Sequence, residues 1–375
     1  MKKILVAADS FKGSLSSKEI ADIFAEQARE ENLDAVVTGV SIADGGEGTL
    51  DAVLSCGKYR EVKIVCRNPL FDDVTARYAL GNGEAVVEMA EASGLTLIDY
   101  ADGNALKTTT YGTGELIADA VKNGAKHVYV CVGGSATNDG GAGALSALGV
   151  NFIDDNGKVF IPTGGTLDKI KGADNKALKK FGGVTFTVIA DVDNPLLGET
   201  GATMFYGGQK GAVGKDFEVL ENGMKNYAEV TEKVTGVRLH ERKSAGAAGG
   251  LAGGLIAYLG AEVKSGIDTV LEIIGFEKSL EGKDAVITGE GRIDEQSLHG
   301  KAVCGVCAAA RKKNAAIYAI AGCTSLSAER YEEIGIRHIE TLVSYAESAE
   351  DSINNAKKYA EKAAEKLLKI ICEEE

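Results

Sequence analysis

Lys3-Ile4-Leu5-Val6-Ala7-Ala8, running into the polar stretch Asp9-Ser10-Phe11-Lys12-Gly13-Ser14, decides the fold class. The apolar run is short and ends at an acid. It reads as a buried strand and not as the apolar region of a signal peptide, which would end in a cleavage site. Ser16 with Glu19 three residues on has the form of a capping box, and Ile20, Ile23 and Phe24 then mark one helical face. A second strand, Ala35 to Ile42, follows. Strand, loop, helix and strand in that order open a βαβ unit, and with it an α/β fold on a parallel sheet.

Working outward, Asp44-Gly45-Gly46-Glu47-Gly48-Thr49 ends the second strand and leads into a helix, Leu50 to Ser55. The loop therefore lies at a strand's carboxyl end, the edge where parallel sheets bind ligands. From Lys58 to about Leu80 the texture changes to alternating strands, Val62 to Val65 and Val74 to Ala79, separated by the turn residues Asn68-Pro69 and Asp72-Asp73. This marks a second domain. It continues through Ala85 to Glu88, a helix after Thr113-Gly114-Glu115, and the strands His127 to Val132 and Val184 to Ile189. After a small-residue helix, Ala245 to Leu259, and another around Asp268 to Ile274, the βα texture returns: strand Asp284 to Thr288, helix Lys301 to Arg311, strands Ala316 to Ala321 and His338 to Val343. A last helix, Ser352 to Ile371, puts Ile353, Ala356, Ala360, Ala363, Leu367 and Ile371 on one face, ready to cover the first sheet. The expected architecture is a Rossmann-like or flavodoxin-like parallel-sheet domain over 1–60 and 265–375, with a second α/β domain over 61–264 inserted in it. The active site is expected in the cleft between them.

Composition narrows the function. With 375 residues, 45% of them apolar and 26% charged, the chain is long enough for two cores and has neither a disordered nor a membrane character. A net charge of -14 supplies no basic face for nucleic acid. Seven cysteines, an odd number scattered along the chain, suit reduced thiols and a cytoplasmic setting. Cys304-Gly305-Val306-Cys307 is a CxxC in the interior of an apolar helix with no second pair, so it reads as buried packing. Nothing here speaks to oligomeric state, and a homodimer is compatible with all of it.

Glycine is abundant at 48 residues against 3 prolines, and the glycines cluster with acids and hydroxyls at strand ends. Such loops let a ligand approach the main chain and point N–H groups at phosphate. The standard nucleotide motifs fail: Gly300-Lys301 lacks the rest of a P-loop, and neither Gly141-Ala142-Gly143 nor Gly289-Glu290-Gly291 completes GxGxxG. A Walker ATPase and an NAD dehydrogenase are therefore disfavoured, and the absence of a Gly-x-Ser-x-Gly elbow weakens a hydrolase. The four histidines are isolated, with only His299 near a candidate loop. What remains are five blocks: the Lys12 loop, the Asp44 loop, Gly133 to Gly141, Asp191-Val192-Asp193-Asn194-Pro195, and Thr288 to Ser297. Each combines acids, hydroxyls or a cation with glycine or a turn, a mixture suited to a hard cation, a carboxylate or a phosphate. Each also has a plainer reading as a capped turn or a surface ion-pair network.

Taken in order, Asp9-Ser10-Phe11-Lys12-Gly13, Ala43-Asp44-Gly45-Gly46-Glu47-Gly48-Thr49, Gly133 to Gly141, Ala190 to Leu196 and Thr288 to Asp294 resemble the successive signature blocks of the bacterial glycerate kinase family. Lys107 to Gly114 and the expected helix Gly246-Ala247-Ala248-Gly249-Gly250 fit as well. The resemblance implies ATP-dependent phosphorylation of D-glycerate with Mg²⁺, usually giving 2-phosphoglycerate, on two α/β domains. It makes Asp44, Asp191 and Lys12 the expected catalytic residues, and Ser10, Ser135, Asn138, Asp139 and Arg292 the substrate contacts. Gly45, Gly46, Gly133, Gly134, Gly140, Gly289, Glu290 and Gly291 would line the nucleotide, and Asp44, Asp191, Glu290 and Asp294 would meet the metal. A non-catalytic sugar-acid sensor, or another enzyme acting on a small hydroxy acid, is the competing expectation.

Overall fold

The opening strand forms where its apolar run predicts, as β1 (Lys2–Ala8), with Ile4 to Ala8 almost wholly excluded from solvent. The computed structural model describes residues 1–99, 105–298 and 301–374; His299, singled out above, lies outside them, as does Gly300. Two units emerge. Unit 1 contains Met1–Asp44, Asp51–Gly57 and Ser265–Glu375, and unit 2 contains Gly45–Leu50 and Lys58–Lys264.

In unit 1 the expected capping box is present. The Ser16 hydroxyl accepts from the Glu19 N–H, and the Glu19 carboxylate accepts from the Ser16 N–H at 2.8 Å, starting helix α1 (Ser17–Glu30). β1 pairs in parallel with β2 (Ala35–Gly39) on one side and β3 (Ala285–Ile293) on the other. β3 pairs with β4 (Ala316–Thr324) and β4 with β5 (Ile336–Thr341), all parallel. The order is β2-β1-β3-β4-β5. This is the flavodoxin-like winding, which reverses at β1 and opens a crevice between the carboxyl ends of β1 and β3. Alternation sends Ile4, Val6, Ala285, Ile287, Tyr318 and Ile320 into a core with α1 and the last helix, α5 (Ala356–Glu373).

Unit 2 has a six-stranded sheet in the order Glu262–Lys264, Thr185–Ile189, His127–Cys131, Glu84–Glu88, Asp73–Gly81, Arg60–Arg67. The first four strands run parallel and the last two antiparallel, matching the alternating texture read from Lys58 onward. A small antiparallel sheet joins Val159–Phe160, Asn151–Ile153 and Gly172–Asp174.

Four expectations need correction. The small-residue helix begins at Leu251, not Ala245, because Ser244, Ala248, Gly249 and Gly250 all take positive φ and cannot continue a helix. The segment Gly246 to Gly250 is therefore a series of turns. The polar stretch after Thr288 is not a loop: β4 extends alongside, pairing Arg292 with Cys323, so strand β3 carries Glu290 and Arg292. The helix expected after Thr113-Gly114-Glu115 already starts at Tyr111. The final amphipathic run is broken at Asn355 into α4 (Ala349–Asn354) and α5, which turns Ile353 out of the core to 58% exposure.

Gly289 shows why the strand end needs glycine. A Cβ there would stand 2.1 Å from the Ile320 carbonyl oxygen on β4. Gly289→Ala is expected to destabilise unit 1 by about 2 kcal/mol through strand displacement, read as a lowered midpoint in urea unfolding.

Candidate active site

A cavity of about 370 Å³ opens at the switch point of unit 1. Ser10, Lys12, Asp44, Glu290, Gly291 and Arg292, all expected in the site, line it together with Asp9 and Lys301. The chain ends that supply them are tied down locally. The Asp9 N–H donates to the Gly289 carbonyl at 2.8 Å, and the Ser17 hydroxyl donates to the Ala8 carbonyl at 2.6 Å while accepting from the Ile42 N–H at 3.3 Å. The loop itself closes through paired backbone bonds between Phe11 and Leu15 at 2.7 and 3.1 Å. Ser17, one residue into α1, thus sets the spacing of the two strand ends that carry Asp9 and Asp44.

The acids lie deep and the cations shallow. Asp9 is 7% exposed, whereas the side chain of Arg292 is 68% exposed and pairs with Asp294 at 3.3 Å. Burial first, then the charge of Asp44, push the Asp9 carboxyl up to about 7; the Ser10 N–H and Lys12 pull it back in part, and Glu290 adds a smaller upward push. Burial also raises Glu290, with Ser297 and Lys301 opposing and Asp294 and Asp44 reinforcing. Glu290 Oε1 is buried without a hydrogen-bond partner. Among the described residues no three His, Cys, Asp or Glu form a ready metal cage. An orphaned carboxylate oxygen among acids nevertheless suits Mg²⁺, which usually takes one or two carboxylates and completes its shell with water and phosphate oxygens. Asp294 also accepts from the Gln296 N–H at 2.9 Å, which makes it the cap of the short turn that follows.

The remaining expected residues belong to unit 2. Gly46 and Gly133 meet so closely that a Cβ on Gly133 would lie 2.6 Å from Gly46 Cα. The N–H groups of Gly48 and Leu50, at the start of the helix Thr49–Ser55, already donate to the buried Glu88 at 3.3 and 2.9 Å. A carboxylate thus holds positions that the sequence offered to phosphate. In the Gly133 to Gly141 loop only the first two glycines reach the surface appreciably; Ser135 and Gly140 are buried, and Asn138 and Asp139 are fully enclosed. Asp139 accepts from Thr110 N–H, Thr110 hydroxyl, Gly141 N–H and Gly143 N–H at 2.8 to 3.2 Å. Burial still raises its carboxyl, with those donors opposing. Asn138 donates to the Thr203 hydroxyl at 3.0 Å, and the fully buried Lys210 donates to the Thr137 carbonyl at 2.8 Å. Asp191 is exposed, while its neighbours Asp193 and Asn194 bond to Ser244, Thr200 and Tyr206.

Sequence reasoning left Asp9, Ser17, Glu88 and Lys210 without a role. Asp9 carried a visible signal as the first polar residue after β1. The other three act through tertiary contacts with no local signature. In the CxxC pair Cys307 is buried, which pushes its thiol up to about 12, whereas Cys304 is half-buried.

Fold and cavity together define an α/β protein with a charged cavity at the switch point of a doubly wound sheet. A family model described as the glycerate kinase family matches residues 4–372, and the chain belongs to that family of enzymes. It is 41% identical over 365 residues to a glycerate kinase of Bacillus subtilis strain 168, covering 96% of each chain. It is also 41% identical to a glycerate 2-kinase of Escherichia coli K12, over 90% of this chain and 87% of that one. A crystal structure assigned as glycerate kinase 2 from Salmonella typhimurium LT2 superposes with a TM-score of 0.85 at 35% identity, covering 99% of this chain and 98% of the other. No described helix is long and apolar enough to cross a membrane.

Two tests follow from the geometry. Folding raises the Asp9 carboxyl from 3.8 to about 7, so the fold keeps a proton that the unfolded chain releases. That stabilisation is full below about 3.8 and is lost as pH rises through about 7. Urea titrations in metal-free buffer should show stability falling by a few kcal/mol across that window, and Asp9→Asn should flatten the fall. Asp139→Ala leaves several buried donors unpaired and should lower stability by about 3 kcal/mol in the same assay.

Proposed function

We propose that the chain transfers the γ-phosphoryl group of ATP to D-glycerate, giving ADP and phosphoglycerate, the 2-isomer in keeping with the name of the Escherichia coli relative. The observation that carries this reading is the unit 1 cavity, where Asp9, Asp44 and Glu290 share one space with Lys12, Arg292 and Lys301. Phosphoryl transfer needs that combination: cations for phosphate and carboxylate, acids for a metal and for the acceptor hydroxyl. Asp44 and Glu290 would hold Mg²⁺, which when bound neutralises the phosphate oxygens. Lys12 and Arg292 take the anionic groups, with Ser10 beside them. Asp191, in unit 2, has the chemistry to orient a hydroxyl or to meet a metal, and Asp294 keeps Arg292 in place. In unit 2, Gly45, Gly46, Gly133, Gly134 and Ser135 offer main-chain contact to phosphate or substrate, while Asn138, Asp139 and Gly140 hold that loop in shape. Gly289 and Gly291 let the β3 backbone approach the nucleotide.

The scattered cysteines and the charge of -14 agree with a cytoplasmic enzyme that does not bind nucleic acid, working singly or as a homodimer. Incubation with ATP, Mg²⁺ and D-glycerate should release ADP, with phosphorus NMR locating the phosphate on the 2-hydroxyl. Asp44→Asn and Asp191→Asn should each lower kcat by about a hundredfold or more. Near-normal kcat in both variants would remove the assigned roles, and glycerate binding without ADP release would leave a sensor in place of a kinase.

A further inference from the structure

The unit 1 cavity has two chemically different sides, and beyond the main-chain approach at Gly291 the roles assigned so far use the charged one. Strand alternation puts Glu290 and Arg292 on the face of β3 opposite to Gly289 and Gly291. The register that pairs Glu290 with Ala321 and Arg292 with Cys323 sets Gly291 beside Gly322. Neither residue has a side chain, and none is tolerated at Gly322, where a Cβ would lie 2.4 Å from the Gly291 carbonyl oxygen. A Cβ at Gly291 would in turn stand 3.5 Å from the Phe11 Cα, so on this side the two adjacent strands bring main chain, and no side chain of their own, to the cavity lining.

Phe11, Leu342 and Ile353 line the cavity with these glycines. Phe11 and Leu342 belong to the buried core of unit 1, at 3% and 1% exposure, so this side is continuous with apolar packing. Ile353 differs, because the break between α4 and α5 leaves it 58% exposed. A lone exposed aliphatic side chain carries no information. One that lines a cavity beside a side-chain-free floor has the chemistry of a slot for a flat ring.

A three-carbon hydroxy acid is polar at every carbon and has no ring to lay there. The cavity volume, about 370 Å³, also falls in the range of pockets for larger organic ligands. A nucleotide has both parts: a flat base with apolar faces and a polyanionic tail. We propose that Gly291, Gly322, Leu342 and Ile353 receive the base of the nucleotide, while Lys12, Arg292 and Lys301 receive its phosphates. This assignment rests on the kinase reading and adds the orientation of the phosphoryl donor to it. The ring covers Ile353 and gains by removing apolar area from water, and the two glycines let it lie against the main chain.

Isothermal titration of the full chain with ADP and, separately, with inorganic tripolyphosphate separates base from phosphates. Ile353→Asn introduces no charge at an exposed position; it should weaken ADP by about tenfold and leave tripolyphosphate unchanged. Ile353→Leu should retain wild-type affinity for both. An unchanged ADP affinity in Ile353→Asn, or an equal loss for both ligands, overturns the assignment. A wild-type chain that binds ADP with the expected Ile353 dependence, yet releases no ADP from ATP with glycerate, sinks the kinase reading and leaves the base site standing.

Discussion

The hydrogen bond from the Asp9 N–H to the Gly289 carbonyl, 2.8 Å long, is the last rung of the ladder that joins the first strand of the chain to one some 280 residues later. Up to that rung β1 and β3 are one sheet, with Ala8 beside Gly289. Beyond it β1 turns away into the Asp9 to Ser14 loop, while β3 continues, held by β4, for another turn of side chains. The gap so opened is the cavity. Its position follows from a parallel sheet whose winding reverses at β1, since no connection crosses the mouth there. The Ser17 hydroxyl extends the constraint to the third strand end by bridging the Ala8 carbonyl and the Ile42 N–H.

That geometry concentrates charge. Burial raises the cost of ionising Asp9 and Glu290, and the charge of Asp44 adds to it for both. Lys12 and Arg292 stand in solvent and return little of that energy, because an exposed cation is well screened. Glu290 Oε1 has no partner at all. The apo site is therefore electrostatically incomplete on its acidic side. A divalent ion carried in with a phosphate chain would relieve that side, and the phosphates would find the cations.

How much of this was readable from sequence depends on the range of the interaction. The Ser16 to Glu19 cap, the apolar faces of α1 and α5 and the buried strand Ile4 to Ala8 are local, and each stands where periodicity and capping put it. The continuation of β3 through Gly289-Glu290-Gly291-Arg292 was invisible, because glycines and charges resemble a loop until β4 is known to run alongside. The turns at Ser244 to Gly250 were hidden for the opposite reason. Ala and Gly there look helical by composition, yet Gly249 is set by an approach in which a Cβ would lie 2.0 Å from the Thr137 carbonyl oxygen. The apolar side of the cavity depends on one break, at Asn355, inside an otherwise regular amphipathic pattern.

That last case bears on what abundant glycine means. The same residues that suggest a phosphate cradle also let two backbones touch. In unit 2 Gly250 packs on Gly140, Gly246 on the Pro195 carbonyl and Gly46 beside Gly133, with no room for a Cβ at Gly250, Gly246 or Gly133. With Asp139 clamping the Thr110 and Gly141 to Gly143 backbone, five signature stretches interlock in unit 2. Loops built this way cannot adjust to a ligand; they must be correct before it arrives, and such preorganisation is what electrostatic catalysis requires. The glycines of unit 2 serve function chiefly by removing freedom from neighbouring polar groups. Only a few positions of the Gly133 to Gly141 stretch, Gly134 among them, reach the surface.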